Sequence, residues 1–463
     1  MSVGGQPAAL VRRLGALDGA LITIGSVIGT GIFLTGGDVA RAVPNSALIL
    51  LVWVVGGLVT LAGALTYAEL GVLIPRAGGL YDYLRAAYGP VWGFFYGWAS
   101  LLVIMSGGIA AIAIGFGEYF GSFVPLFSSH HTLCSVALGG WHWAPNGAQL
   151  AAVLAILVLT TVNHFGVREG ALAQHLFTAL KIVATVGLVV FGFLGPAHGA
   201  VAAAPPSSGH LLAGFGVGMI AALWTYDGWY GLTFSAGEMR DPGRTLPTGL
   251  ITGTLAVIVL YVVVNAVYLR ALPVSAMMQG TRTAEDAAAA LFGATGARLV
   301  SMAVVVASFG CLASTILYSS RIYQPMAADG AFFRGVAAIH PRYHTPTRSL
   351  WLQSAWAMVL ALSGSYTQLF TWVTFAVVLF HVAVGAAVFV LRAKWPDAPR
   401  PYRAWGYPVV PALFIIAMVL LLLNTLVERP VEALLGLACI VAGWPAYAWW
   451  RRGAAAAPAR AER

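Results

Sequence analysis

The chain has 463 residues, of which 59% are hydrophobic and 9% are charged, and its mean hydropathy is +0.83. Because a soluble domain carries about 25% charged residues, this composition excludes a water-soluble fold and predicts a protein embedded in a lipid bilayer. The formal net charge of +9 would fit a nucleic-acid partner, but its distribution along the chain indicates membrane topology instead. We therefore expect the bilayer, and no nucleic acid, as a partner.

Twelve segments are apolar enough to cross the bilayer as helices, each near the roughly 20 residues that a helical span requires. The gaps between these segments leave no room for a separate soluble domain. The predicted spans lie at 17–41, 46–73, 90–119, 147–165, 171–195, 211–236, 247–270, 296–327, 347–364, 367–391, 407–427 and 431–450.

Arginine and lysine residues are distributed unequally between the two ends of these spans. Suppose that the chain starts in the cytoplasm and crosses the membrane twelve times. Few basic residues then lie on the outer side, and all the others except Lys181 lie on the cytoplasmic side. This asymmetry follows the positive-inside rule. It predicts a multi-pass protein of the cytoplasmic membrane with both termini cytoplasmic. The basic residues on the outer side are Arg41, Arg270, Arg282, Arg298 and Arg429.

The first and sixth predicted spans are interrupted. The first reads G-S-V-I-G-T-G-I-F over 25–33, and the sixth reads W-T-Y-D-G-W-Y-G over 224–231. Glycine favours unwinding, and backbone groups freed inside a bilayer must find partners. Two broken helices in corresponding positions of two halves indicate the substrate site of a secondary transporter.

The spacing of the two breaks predicts how the chain is divided. Five spans separate the starts of the broken helices, and an odd number of spans per repeat gives repeats of inverted topology. The predicted organisation is a cytoplasmic segment at 1–16, a first repeat at 17–195, a second repeat at 211–391, two added spans at 407–450 and a cytoplasmic tail at 453–463.

The first break offers backbone groups to both ends of a zwitterion. The N–H groups of Gly29, Thr30 and Gly31, beside the start of the next half-helix, would suit a carboxylate. The carbonyls of Val27 and Ile28, at the end of the preceding half-helix, would suit an ammonium group. A purely structural alternative is a stripe of small residues that lets helices pack closely.

The second break would complete the same site. Carbonyls of Trp224, Thr225 and Asp227 are predicted to face the ammonium group, and the Trp224 ring could close over the substrate. An acid at membrane depth marks a functional site by default. The alternative for Asp227 is a cap that accepts hydrogen bonds from nearby backbone N–H groups.

Lys181 is the one basic residue deep within a predicted span. A buried ammonium group is costly and needs carbonyls or an acid nearby. The side chain could act as a fixed cation in place of a coupling sodium ion, or as a protonatable group. The alternative is a side chain that extends to the inner membrane surface.

No cofactor or metal site is expected. The three cysteines, Cys134, Cys311 and Cys439, have no metal-ligand spacing. Isolated histidines such as His381 are expected to be satisfied interior residues, and no His/Asp or His/Glu pair at catalytic spacing indicates an enzyme.

These motifs resemble the amino acid–polyamine–organocation (APC) superfamily, and within it the L-type amino acid transporters, including bacterial Ser/Thr or Ala/Ser/Cys exchangers. Nearly the whole chain contributes to the resemblance. The matching stretches are Gly25–Phe33, Tyr67–Leu70, Pro75, Gly78–Tyr81, Trp224–Trp229, Gly237–Pro242, Leu246–Pro247, Ser320–Arg321, Ala328–Gly330, Thr345–Pro346, Arg400–Arg403 and Gly406–Pro408.

The resemblance implies an all-α integral membrane protein with twelve transmembrane helices in the five-plus-five inverted-repeat (LeuT-like) fold, with helices 1 and 6 discontinuous. It implies that Thr30 and Gly31 bind a carboxylate and that Val27, Trp224 and Asp227 supply carbonyls to the amine. Trp224 takes the place of the family's aromatic gate. Lys181 matches the fifth-span lysine that members use instead of sodium.

The chain departs from the family pattern at several positions. Tyr230 stands where many relatives carry Asn, so its effect on selectivity is open, and Thr30 replaces the usual Ser. Cys134 lies in the outer loop where animal members bond to a partner glycoprotein. The rest of that loop does not match, so we expect no obligate protein partner.

The sequence therefore predicts an amino acid transporter that works by alternating access, independent of sodium, and exchanges neutral L-amino acids. Proton-coupled symport of amino acids or polyamines is the alternative. A channel and a membrane-embedded enzyme are less favoured. A channel would need an acidic ring or a carbonyl filter repeat, and neither is present.

Overall fold

A computed structural model describes residues 14–76, 78–138, 141–165, 170–195, 211–343 and 345–455. Most of the predicted N-terminal segment 1–16, Arg168 of the predicted inner side and most of the predicted tail 453–463 lie outside these ranges. Within the described ranges nearly all regular structure is helical. Nine helices there are long and apolar enough to cross a membrane, and two shorter apolar helices, Ala16–Val27 and Thr178–Leu194, accompany them. The prediction of an all-α membrane protein is confirmed.

The helices of the first part of the chain follow the predicted spans closely, and the first span is divided into three pieces. One β-hairpin interrupts them in the predicted outer loop. In chain order the elements are α1 (Ala16–Val27), α2 (Gly31–Leu34), α3 (Gly36–Ala42), α4 (Ser46–Leu73), α5 (Leu80–Tyr88), α6 (Pro90–Ala99), a π-helix (Ser100–Ile104), α7 (Met105–Phe120), a 3₁₀ turn (Pro125–Phe127), β1 (Val136–Leu138), β2 (Trp141–Trp143), α8 (Gly147–His164) and α9 (Gly170–Leu194).

The second part begins with the other divided span. Its elements are α10 (Leu211–Tyr226), a 3₁₀ helix (Trp229–Glu238), α11 (Pro242–Ala271), α12 (Val274–Gln279), α13 (Thr283–Ala328), a 3₁₀ turn (Arg334–Ala337), α14 (Thr347–Ser363), α15 (Tyr366–Lys394), α16 (Val409–Glu428), α17 (Pro430–Val441) and α18 (Gly443–Ala455).

Local sequence signals explain several helix boundaries. The Asn45 side chain caps α4 by accepting hydrogen bonds from the N–H groups of Ala47, at 3.0 Å, and Leu48, at 3.2 Å. Such a cap satisfies donors that have no partner within the helix. Inside α13, Gly293 has φ +69°, so the helix bends there.

Close packing of α1 against α11 places the first broken span in the interior. A Cβ added at Gly249 would lie 2.8 Å from the carbonyl carbon of Gly19, and one at Gly253 would lie 2.6 Å from Thr23 Cβ. In lipid there is no hydrophobic driving force between helices, so their association depends on close van der Waals packing. Small residues at the interface allow the backbones to approach this closely. One side of α1 thus packs against α11, and the end of α1 borders the cavity described below.

A buried acid joins α4 to the end of α15. Glu69 is 2% exposed and accepts hydrogen bonds from Arg392 Nε at 2.8 Å and Nη2 at 2.7 Å. The backbone N–H of Ala404 donates to the same carboxylate at 2.6 Å. A bidentate charge-assisted pair of this kind fixes geometry as well as adding stability.

Glu69→Gln is expected to destabilise the fold by about 2 kcal/mol, because it leaves the Arg392 guanidinium without its anion. The measurement is the midpoint of thermal unfolding of the protein in detergent, followed by tryptophan fluorescence. Glu118→Gln, in which no ion pair is lost within the described residues, is the control. Equal midpoints for Glu69→Gln and the unmodified protein would contradict the stabilising role of the Glu69–Arg392 ion pair.

Candidate functional site

The first span is broken over three residues. Helix α1 ends at Val27, and the next helix begins at Gly31. The backbone N–H groups of Gly29 and Thr30 donate to no other backbone group in the described chain. Because Gly29 and Thr30 are buried, these donors must be satisfied by something other than bulk water. The predicted break is present, at the predicted residues.

The second span breaks at Asp227, three residues after the start of the predicted interruption at Trp224. Helix α10 continues through Trp224 and Thr225 to Tyr226, and Asp227 and Gly228 form the turn that follows. The predicted unwinding at Trp224 and Thr225 is therefore wrong. These residues lie in the last turn of α10, where the Trp224 carbonyl accepts a hydrogen bond from the N–H of Asp227 at 3.1 Å and keeps a second lone pair. They can still offer carbonyls, as helix-end groups.

Gly228 is the residue on which the second break depends. Its φ is +95°, a left-handed conformation that only glycine adopts without strain. A Cβ at this position would also lie 2.7 Å from the carbonyl oxygen of Ser26. Glycine here allows the turn and the close approach of the two broken spans.

The two broken spans run antiparallel and touch at their breaks. At one end Leu14 donates its N–H to the carbonyl of Glu238 at 3.1 Å. In the middle the hydroxyls of Thr35 and Thr225 are 2.7 Å apart. A Cβ at Gly31 would lie 2.9 Å from both Cα and Oγ1 of Thr225, so Gly31 is fixed as glycine by this contact.

A cavity of about 50 Å³ lies between the breaks. Its walls come from both broken spans, from the π-helix with α7 and from α13. Asp227 is the one charged side chain among the lining residues, which are Ser26, Val27, Gly29, Thr30, Gly31, Ile104, Met105, Gly108, Ile112, Trp224, Thr225, Asp227, Gly228, Cys311, Thr315 and Tyr318. Of the predicted binding residues, all but Ile28 line this cavity.

Ile28 and Lys181 belong together beside the cavity. Lys181 is 3% exposed, and its Nζ donates to the carbonyls of Ile28, at 2.9 Å, and of Gly25. The predicted role of the Ile28 carbonyl as a substrate ligand is not supported by this placement, because Ile28 does not line the cavity and its carbonyl accepts from Lys181. The cation stabilises the carbonyl end of α1, where the helix dipole is negative.

The Val27 carbonyl is also engaged. It accepts a hydrogen bond from the Tyr261 hydroxyl at 2.9 Å. A carbonyl oxygen has two lone pairs, so one further donor can be accepted there. Val27 lines the cavity, and a substrate ammonium group could be that donor.

Trp224 lines one side of the cavity. Its indole Nε1 donates to the Tyr366 hydroxyl at 2.9 Å, and its ring stacks on Phe370 with centroids 6.1 Å apart. A buried tryptophan usually finds such a partner for its N–H. Phe370 also lines a second cavity, which Asp38 and Arg41 border as well.

Tyr230 and Cys134 lie away from this cavity. Tyr230 is buried, and its ring centroid is 5.3 Å from that of His381 and 6.4 Å from that of Tyr67. The hydroxyl of Tyr67 is 2.6 Å from Nδ1 of His381. His381 is therefore a satisfied interior histidine, as expected, and Cys134 is exposed in the loop after α7.

Several lining residues were not predicted from the sequence. Ile104 and Met105 reach the cavity where the π-helix Ser100–Ile104 joins α7, and π-helical turns often occur at functional sites. Cys311 and Tyr318 reach it from α13. The glycine pair at 107–108 was the one sequence signal that the third span lines the cavity. Nothing in the sequence indicated which face of α13 is turned toward the cavity.

An apolar membrane bundle with two antiparallel broken helices around a small cavity defines a secondary transporter as the class of protein. The sequence profile of the family described as "Amino acid permease" matches residues 14–443, and the chain belongs to this family within the APC superfamily. As a member it is an amino acid transporter and not an enzyme. The predicted family is confirmed.

Curated relatives match along almost the whole chain. The serine/threonine exchanger SteT of Bacillus subtilis (strain 168) is 31% identical over 442 residues, covering 95% of this chain and 96% of the relative. The large neutral amino acids transporter small subunit 2 of Mus musculus is 30% identical, covering 96% and 82%. The b(0,+)-type amino acid transporter 1 of Mus musculus is 28% identical, covering 91% and 84%.

Proposed function

We propose that this permease exchanges neutral L-amino acids across the cytoplasmic membrane by alternating access and without sodium. The observation that carries the proposal is the small cavity into which both helix breaks open. A zwitterion needs donors for its carboxylate and acceptors for its ammonium group. The two breaks supply both from the backbone, where they are fixed in place before the substrate arrives.

The binding mode follows from the groups around the cavity. The unpaired N–H groups of Gly29 and Thr30, with that of Gly31 beside them, hold the carboxylate. The ammonium group lies against the carbonyl end of α10 and the Asp227 carboxylate, with the Val27 carbonyl as a further acceptor. The Asp227 carboxylate pairs with the ammonium group, and the N–H groups of the first break stabilise the substrate carboxylate, in a medium where an unpaired charge is costly.

The substrate side chain is proposed to be uncharged. Apart from Asp227, which the ammonium group neutralises, the lining residues carry no charge. Ile104, Met105 and Ile112 give the cavity an apolar wall, and Thr315 adds a hydroxyl. The small volume favours small side chains, such as those of alanine, serine and threonine.

Sodium independence is proposed from the position of Lys181. Its ammonium group donates to two carbonyls at the end of α1, which is where a coupling cation would otherwise neutralise them. No acid pairs with Lys181 among the described residues. An ammonium group that belongs to the protein itself removes the need for a sodium ion that is carried with the substrate.

The finer topology belongs to the same proposal. We propose twelve spans, with 17–195 and 211–391 as inverted repeats and 407–450 added, both termini in the cytoplasm and no obligate protein partner. The antiparallel course of the two broken spans supports the inversion. The position of basic residues supports the orientation.

We propose that Trp224 forms a lid over the substrate. Trp224→Ala is therefore expected to raise the KM for transport about tenfold, because the ring over the substrate and its bond to Tyr366 are lost. The measurement is the concentration dependence of amino acid uptake into liposomes. Trp92→Ala, which removes a tryptophan that is 44% exposed, is the matched control. A KM unchanged by Trp224→Ala would contradict the lid assignment.

The test of the function is counterflow. Purified protein in sodium-free liposomes loaded with unlabelled L-serine should take up labelled L-alanine, L-serine, L-threonine or L-leucine, and empty liposomes should take up far less. Net uptake into empty liposomes that requires a proton gradient would favour proton-coupled symport instead. Absence of uptake for every amino acid tested would overturn the proposal.

A further inference from the structure

A second cavity lies on the far side of the Trp224 lid. Its volume is about 250 Å³, larger than that of the cavity between the breaks. It is named the outer cavity here, and its lining residues come from α3, α10, α15 and the residue that joins α16 to α17. They are Asp38, Arg41, Ala42, Gly214, Val217, Ile220, Ala221, Thr367, Phe370, Thr371 and Arg429.

The outer cavity carries charged groups that are not all satisfied. Arg41 is engaged by Asp38 Oδ1 at 2.7 Å and by the carbonyl of Met278 at 2.7 Å. Arg429 is exposed, and none of the ion pairs of the described residues includes it. Its charge lies within electrostatic range of Asp38. One guanidinium is therefore left to bind an anionic group.

The second oxygen of Asp38 is also available. Oδ1 accepts from Arg41, whereas Oδ2 takes part in none of the hydrogen bonds of the described residues to which Asp38 contributes. The Asp38 side chain is 17% exposed, so it is largely withdrawn from bulk solvent. A cation that reached Oδ2 would find a carboxylate held in position.

The rest of the wall is suited to a small organic group. Val217, Ile220 and Phe370 are apolar, and Thr367 and Thr371 add hydroxyls. Phe370 is also the ring on which Trp224 stacks. A molecule in the outer cavity therefore rests against the lid of the cavity between the breaks.

We propose that the outer cavity binds a second free amino acid, with its carboxylate at Arg429, its ammonium group at Asp38 and its side chain against Phe370. The inference rests on the proposed function, since the ligand class is that of the substrate. Paired charges of both signs beside an apolar wall match a zwitterion better than a simple anion. The second molecule is held at the entrance while the first is enclosed between the breaks.

The experiment counts binding sites. Equilibrium binding of labelled L-serine, and in parallel of labelled L-leucine, is measured on purified protein in nanodiscs. The unmodified protein should bind two molecules per chain of at least one of these amino acids, and Arg429→Gln should bind one. Arg298→Gln, which removes an exposed arginine that does not line the cavity, is the matched control and should bind two.

A third variant assigns the remaining site. Gly31→Ala forces the two breaks apart and displaces the groups that hold the carboxylate there, so it should bind one molecule, and adding Arg429→Gln should abolish that binding. A single site in the unmodified protein, or two sites in Arg429→Gln, would overturn the inference. Displacement of the second molecule by acetate as effectively as by L-serine would also overturn it, because the site would then recognise only an anion.

The outcomes separate this inference from the function on which it rests. Normal counterflow by a protein that binds one amino acid per chain overturns the second site and leaves the exchanger standing. Absence of counterflow by the unmodified protein, in the assay described above, overturns the proposed function itself. Full counterflow by Arg429→Gln with one site lost supports the outer cavity as a site distinct from the central one.

Discussion

Gly31→Ala is expected to lower the rate of amino acid counterflow by about 10- to 100-fold. The added Cβ would lie 2.9 Å from Thr225 Cα, a backbone atom that cannot rotate away. Overpacking of this kind costs about 1–3 kcal/mol, and each 1.4 kcal/mol is a factor of ten. The strain would separate the two breaks and displace the groups that hold the carboxylate.

Gly187→Ala is the matched control for this substitution. Gly187 lies within α9, and a Cβ added there meets no atom within 4 Å, so transport should be retained. Both variants are compared with the unmodified protein at equal amounts of reconstituted protein. Full activity of Gly31→Ala would mean that the contact between the breaks does not shape the substrate site.

Lys181→Met is expected to reduce counterflow by about 100-fold or more. The substitution keeps most of the side-chain volume but removes the ammonium group that donates to Gly25 and Ile28. A hydrogen bond to a charged group is worth about 1.5–3 kcal/mol, and two are lost. The carbonyl end of α1 is then left unsatisfied inside the membrane, where such groups are costly.

The chain's other lysine provides the control. Lys394 Nζ donates to the backbone carbonyl of Ala87 at 2.7 Å, away from the cavity. Lys394→Met therefore removes a positive charge and a lysine–carbonyl bond without touching α1, and it should keep most of the activity. Unchanged kinetics and ion dependence in Lys181→Met would refute the role proposed for this cation.

The sequence was sufficient for features that local chemistry determines. Composition alone required a membrane protein, and the predicted span 46–73 coincides with α4 because Asn45 caps its start. The first break falls at the predicted glycines, since a run of glycines with one threonine weakens the helix wherever it stands. Lys181 was found because a basic residue deep in a span needs a partner.

Features that depend on how helices are rotated against one another could not be predicted from the sequence. The second break starts at Asp227 because Gly228 must approach Ser26, and that contact joins residues far apart in sequence. Ile28 was expected to face the substrate, but the turn of the broken chain directs its carbonyl to Lys181. The lining residues of α13, such as Cys311, carry no periodic signal that distinguishes them from other buried positions.

The most direct test of the account is a cryo-electron microscopy structure of the protein in nanodiscs with saturating L-serine. We expect the carboxylate oxygens of the bound serine at hydrogen-bonding distance, about 3 Å, from the N–H groups of Gly29, Thr30 or Gly31. We expect its ammonium group beside Asp227. Serine density elsewhere, with the cavity between the breaks empty, would contradict the account.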